Sequence, residues 1–82
     1  MNRNSLAKFF KDNNYSIVEH RSSKMAFMDK AKSIKIHIMF NAIDKTYGIF
    51  VSDKRRNKNY SGFNKFGIVG VKEVKNELSN IL

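Results

Sequence analysis

The sequence contains no cysteine, which excludes disulfide bonds and thiolate metal sites. No apolar run approaches the roughly 20 residues that span a bilayer, and the N-terminus has no stretch long enough for a signal peptide. We therefore expect a soluble, cytoplasmic protein without a membrane partner. Zinc-peptidase (HExxH), serine-hydrolase (GxSxG) and glycine-rich phosphate-loop motifs are also missing. We predict no enzyme activity, no cofactor and no metal.

Negative charge is scarce. Seven Asp and Glu stand against 16 Lys and Arg in 82 residues, a formal net charge of +9. Such an excess favours polyanionic partners, with nucleic acid first and an acidic protein surface or anionic lipid next. A hydrophobic share of 41% is enough for one small core. The length predicts a single domain over residues 1–82 with modest stability.

The segment from Ser33 to Ser52 predicts an antiparallel β-hairpin. Apolar residues fall on every second position in two runs, Ile34, Ile36, Ile38 and Phe40, then Tyr47, Ile49 and Val51. Successive side chains of a strand point to opposite faces, so each run gives one apolar face. Lys35, His37 and Met39 are expected on the other face. The loop from Asn41 to Lys45 joins the runs and includes Asn41 and Asp44, which are typical turn formers.

Helices are predicted on both sides of the sheet segments. The first has an apolar stripe of Leu6, Phe9 and Phe10 and an N-cap at Asn4 or Ser5. The second follows Gly70 and carries its stripe on Val71, Val74, Leu78 and Ile81. The fold class is therefore α+β, a small antiparallel meander of four or five strands flanked by an N-terminal and a C-terminal helix.

Three further strands are expected around the hairpin, at Tyr15 to His20, Met25 to Met28 and Phe66 to Val69. Simple alternation in the first of them places Tyr15, Ile17 and Glu19 on one face. It places Ser16, Val18 and His20 on the other.

Residues 6–27, LAKFFKDNNYSIVEHRSSKMAF, resemble the start of HicA-type mRNA interferases, with a short helix, a turn and two strands. The resemblance covers about a quarter of the chain. It implies an αβββα domain related to the double-stranded-RNA-binding fold. In that family a Gly-Ser-His stretch opens the second strand and its His is catalytic. Here Ser22-Ser23-Lys24 stands at that place, so the resemblance implies the architecture and not the catalysis.

The segment from Asp53 to Phe66 is both basic and aromatic, and it predicts a long exposed loop. Its cations suit phosphates, and its rings, Tyr60, Phe63 and Phe66, suit stacking on exposed bases. Alternatively, the three rings fold inward as a small satellite core. Including one lysine of the open sheet face, the predicted nucleic-acid contacts are Lys54, Arg55, Arg56, Lys58, Tyr60, Phe63, Lys65 and Lys35.

Several readings of function stay open at this point. The first is a non-enzymatic DNA- or RNA-binding protein of a phage or mobile element, monomeric or homodimeric. The second is a phage-type inhibitor that docks on a host defence or transcription protein. A third is a metal-independent ribonuclease in which His20 and His37 share the exposed sheet face. Lysines on that face have a further explanation, because they also protect sheet edges against unwanted pairing.

Replacing Arg55, Arg56 and Lys58 together by Ala is expected to lower both the affinity for nucleic acid and its salt dependence. Fewer neutralised phosphates release fewer counterions, so the slope of log K against log salt becomes shallower. Titrations of wild type and variant across a salt series measure both quantities. An unchanged slope would remove this loop from the binding surface.

Overall fold

The computed structural model describes residues 3–53 and 61–80. Two helices flank five strands in the order α1 (Arg3–Asp12), β1 (Tyr15–His20), β2 (Lys24–Asp29), β3 (Ile34–Asn41), β4 (Thr46–Asp53), β5 (Ser61–Ile68) and α2 (Val71–Ser79). All neighbouring strands pair antiparallel in the order β1-β2-β3-β4-β5. The predicted α+β meander between two terminal helices is confirmed, with five strands. In the described part of the chain, no helix is long and apolar enough to cross a membrane.

The core lies between the sheet and the two helices. In β3, Ile34, Ile36 and Ile38 are buried, as their alternation predicts. Side chains with no exposed surface come from both helices and from the middle of the sheet, namely Leu6, Phe10, Phe27, Ile36, Ile38, Ile49, Val74 and Leu78. The ring of Phe10 stacks on that of Phe27 at 3.8 Å between centroids and 9° between planes. This stack joins α1 to the second strand of the sheet.

The predicted N-cap of α1 is wrong, because the helix begins at Arg3 and places Asn4 and Ser5 in its first turn. Ser5 instead contacts the second helix. Its hydroxyl accepts a hydrogen bond of 2.6 Å from Nζ of Lys75 in α2, and so links the two helices. The predicted opening of α2 at Gly70 agrees with the structure, since Gly70 is the N-cap residue at φ 85°.

The last strand is longer than the sequence predicts, because β5 begins at Ser61 and not at Phe66. The sequence does not indicate a strand from Ser61 to Asn64 because this part contains Asn and Gly, and both residue types are depleted in strands. Pairing with β4 still satisfies the backbone of an edge strand whatever its side chains are. Near its end the register shifts between Tyr47 and Ile49 of β4, where Gly67 takes φ 74°. This bulge returns Ile68 to the buried face.

The first strand also contains a bulge, which overturns the simple alternation predicted for it. Ile17 pairs with Phe27 and Glu19 with Ala26, so one residue is inserted between them. Glu19 therefore joins the face opposite to that of Ile17. His20 pairs with Met25, a buried residue of the helix-covered face.

Phe10→Ala is expected to lower the free energy of unfolding by about 3–5 kcal/mol, as for other buried Phe truncations. The loss combines burial with the cavity left against Phe27. Urea unfolding followed by circular dichroism measures it. Phe66→Ala removes the same atoms from a side chain that is 66% exposed, and it should shift the midpoint far less. Equal shifts would contradict this assignment of the core.

Candidate functional site

Both helices pack on the face of the sheet that carries Ile36 and Ile38. The opposite face, which we call the open face, is free of them. The strand register builds it from three rows of residues. These rows are Lys24, Met39 and Gly48; then Glu19, Ala26, His37, Phe50 and Asn64; and then Met28, Lys35 and Ser52. Side chains from all five strands meet on this surface, and distant parts of the chain contribute to it.

An acidic side chain stands at the margin of the open face. A carboxylate oxygen of Glu19 lies 2.8 Å from Nε of Arg21, and the other lies 3.6 Å from Nζ of Lys24. Desolvation would raise the pKa of Glu19, but Lys24, Arg21 and Lys35 together hold it below its ordinary value. The carboxylate is therefore ionised at neutral pH and orients two of the cations of this face.

The centre of the open face is His37. Its Nδ1 is buried and has no hydrogen-bond partner among the residues that the structure describes. Its ring meets that of Phe50 at 5.7 Å and 61°. Desolvation and the nearby charges of Lys24 and Lys35 lower the pKa of His37, and Glu19 opposes them in part. The imidazole is therefore neutral at pH 7 and acts as a further flat ring beside Phe50.

Two phenyl rings give the open face an aromatic character. Lys24, His37, Met39 and Phe50 line a shallow depression of about 290 Å³. Phe66 lies across the neighbouring strand, where a Cβ built on Gly48 would come within 2.6 Å of its Cδ1. The missing side chain at Gly48 thus lets the ring rest on the sheet. A second, larger groove of about 600 Å³ continues from Met39, Gly48 and Phe66 to the β3–β4 turn.

The structure separates the predicted contact residues. Lys35 lies on the open face, as predicted. Lys65 pairs in register with the buried Ile49, and its ammonium forms an ion pair with Glu77 of α2. It therefore lies on the helix-covered side of the sheet, away from Lys35. The backbone of Phe63 pairs with Val51. The remaining predicted contacts, Lys54, Arg55, Arg56, Lys58 and Tyr60, lie outside the described residues.

The register also separates the two histidines. His37 belongs to the open face, whereas His20 is paired with Met25 of the helix-covered face. The predicted sharing of one face by His20 and His37 is therefore wrong. The inserted residue in β1 is the cause, because it moves Glu19 to the place that alternation assigns to His20.

Sequence reasoning missed Phe50 and Glu19 as members of the surface. The sequence pattern could have identified Phe50, because it is a large apolar residue at the water-facing position of an alternating strand, between Ile49 and Val51. No comparable signal exists for Glu19, whose face depends on the bulge in β1.

Because the pKa of His37 is lowered from its ordinary 6.5, the unfolded chain binds its proton first as the pH falls. The contribution of neutral His37 to stability is complete above about pH 6.5. It declines below that value and is lost once the pH passes the folded-state pKa. His37→Gln should therefore flatten the fall in the free energy of unfolding between about pH 7 and 5. Glu19 titrates below this window, because its pKa is lowered from 4.5.

Urea unfolding at several pH values provides the measurement. His20→Gln, at the other histidine and at an exposed position, is measured beside it to show what the loss of a histidine elsewhere does. A wild-type slope in His37→Gln would show that His37 is not buried as a neutral group.

Comparison of the chain with protein-family models, curated proteins and solved structures finds no significant match to any of them. The short helix, the turn and the two strands expected from residues 6–27 are present as α1, β1 and β2.

Proposed function

We propose that this is a non-enzymatic nucleic-acid-binding protein whose open sheet face is the binding surface. One observation supports the proposal above others. Lys24 and Lys35 flank a patch of His37 and Phe50 on a face that the helices leave uncovered. Ammonium groups suit phosphates, and flat rings suit bases. The formal charge of +9 adds long-range attraction for a polyanion.

The position of Lys35 argues against the alternative explanation for lysines on a sheet. Lysines that prevent unwanted strand pairing belong on edge strands. The edges of this sheet are β1 and β5, and Lys35 is on β3, which is paired on both sides. Protection of an edge therefore does not account for it. A cation held over the middle of an uncovered sheet suits a ligand that lies across the strands.

The proposed binding has a large electrostatic part. Each phosphate that a lysine neutralises releases a condensed counterion, so affinity falls with salt. Glu19 lies at the margin and pairs with Arg21 and Lys24, so it offsets part of the positive charge there. The action in the cytoplasm and the origin in a phage or mobile element stay predictions.

A second candidate, the inhibitor of a host protein, has one observation in its favour. Ile17 and Val18 are 46% and 49% exposed on the edge strand β1. Adjacent exposed apolar side chains at a sheet edge suit strand addition by a protein partner. Such a partner would use the edge, whereas nucleic acid would use the open face.

The test is fluorescence anisotropy of labelled single-stranded DNA, duplex DNA and RNA across a salt series. Lys35→Gln is expected to weaken binding and to lower the salt slope by about 0.7–0.9, the share of one phosphate contact. Lys72→Gln removes the same charge from an exposed position of α2 and should leave the slope nearly unchanged.

Two results would contradict the proposal. Equal effects of Lys35→Gln and Lys72→Gln would show that net charge matters and the open face does not. Binding that disappears at physiological salt for all three nucleic acids would favour the protein partner. In that case Ile17→Ser with Val18→Ser should abolish capture of the host protein, and circular dichroism should show that the domain is still folded.

A further inference from the structure

We infer that the open face takes single-stranded nucleic acid, with unpaired bases stacked on the rings of Phe50 and Phe66. The inference rests on the proposed function and narrows its ligand. Three features carry it: the support beneath Phe66, the uncharged ring cluster around Phe50, and the placement of cations beside the rings.

The ring of Phe66 is supported from below and exposed above. A Cβ on Gly48 would lie 2.6 Å from Cδ1 and 2.9 Å from Cε1 of this ring, so one ring edge occupies the space above the glycine. The side chain is nevertheless 66% exposed. A ring packed on a strand and open to water has lost part of its rotamer freedom before binding, which lowers the entropic cost of stacking a base on it.

The second ring lies on the adjacent strand. Phe50 lines the depression of about 290 Å³ together with Lys24, His37 and Met39. This volume is at the lower end of the roughly 300–1,000 Å³ of small-molecule pockets, so it suits one ring system and not a larger ligand. The neutral imidazole of His37 meets Phe50 edge to face. A base that enters here meets rings and a thioether, with an ammonium group at the side.

The contact with Gly48 sets how the two rings are spaced. The ring of Phe66 lies over Gly48, and Gly48 and Phe50 are two residues apart on the same face of β4. Two residues of a strand span about 7 Å. That separation leaves room for one base on each ring and places neighbouring bases of one strand on neighbouring rings.

Single strands fit this arrangement better than duplexes. In a duplex the faces of the bases are covered by their stacked neighbours, so a protein reads edges in the grooves with an inserted helix or β-ribbon. An open sheet with an exposed ring at Phe66 and a partly buried ring at Phe50 needs bases whose faces are free. The cations are also well placed for a single backbone, because Lys24 and Lys35 lie on opposite sides of His37 along the strands.

The experiment compares one sequence as single-stranded RNA, single-stranded DNA and duplex, and adds a strand of the same length with abasic sites. We expect the single strands to bind at least tenfold more tightly than the duplex, and the abasic strand to lose most of this advantage. Phe50→Leu and Phe66→Leu should each weaken single-strand binding by up to about 5- to 150-fold, the range for loss of one base stack. Phe9→Leu, on α1 at the other side of the sheet, is the matched control.

Gly48→Ala tests the position of the ring without removing it. The backbone of Gly48 lacks the positive φ found at Gly67 and Gly70, so alanine is compatible with the strand. Its Cβ must displace the ring of Phe66. The variant should reproduce the weakening caused by Phe66→Leu, while circular dichroism and urea unfolding show that the domain is folded.

Each outcome decides a different question. Equal binding of duplex and single strand, with Phe50→Leu and Phe66→Leu unaffected, would overturn the inference. The effect of Lys35→Gln would in that case still support the proposed function. Absence of binding to every nucleic acid near physiological salt would overturn both. Single-strand preference that survives Gly48→Ala but not Phe66→Leu would overturn the role of the ring's support on Gly48.

Discussion

Two short helices can cover only one face of a five-stranded sheet, and this constraint organises the protein. The helices have ten and nine residues and both pack over Ile36 and Ile38. Because side chains alternate along a strand, the same strand that builds the core must present Lys35, His37 and Met39 on the other side. A slip of one residue in β3 would exchange the two sets. Core and open face are therefore specified by one register.

The parts of the fold that sequence predicts are those with a strong local period. The alternation from Ile34 to Phe40 is unbroken, and the stripes of the helices follow the helical repeat. The two misplaced features lack such a signal. Residues such as Gly62 and Asn64 are untypical of strands, so the sequence does not predict the first part of β5. The bulge in β1 can be recognised only when its register against β2 is known. Both features depend on how the strands pair, and pairing joins residues that are far apart in the sequence.

The open face was predictable only in part for the same reason. The alternation within β3 is enough to predict the face on which Lys35 lies. Glu19 reaches the face through the bulge in β1, and the contact of Phe66 with Gly48 depends on two strands meeting. The position of Lys65 was not predictable either, since its ammonium contacts Glu77, twelve residues away, on the helix-covered side of the sheet. Charge counted along the chain does not tell on which side of a sheet a lysine lies.

The open face combines charges, which act over a long distance, with flat rings, which act only in direct contact. Lys24 and Lys35 attract anions from a distance, and the same charges help to hold His37 neutral. The middle of the face is therefore an uncharged cluster of flat rings inside a positive margin. The buried Nδ1 of His37, without a partner among the described residues, is a cost that the core itself does not require. Buried polar atoms without a partner are often found at functional sites, so this one is consistent with the proposed binding role of the face. Salt screens the charges of the lysines and leaves the ring cluster unchanged. In the proposed function, long-range attraction and base stacking would therefore be separable by experiment.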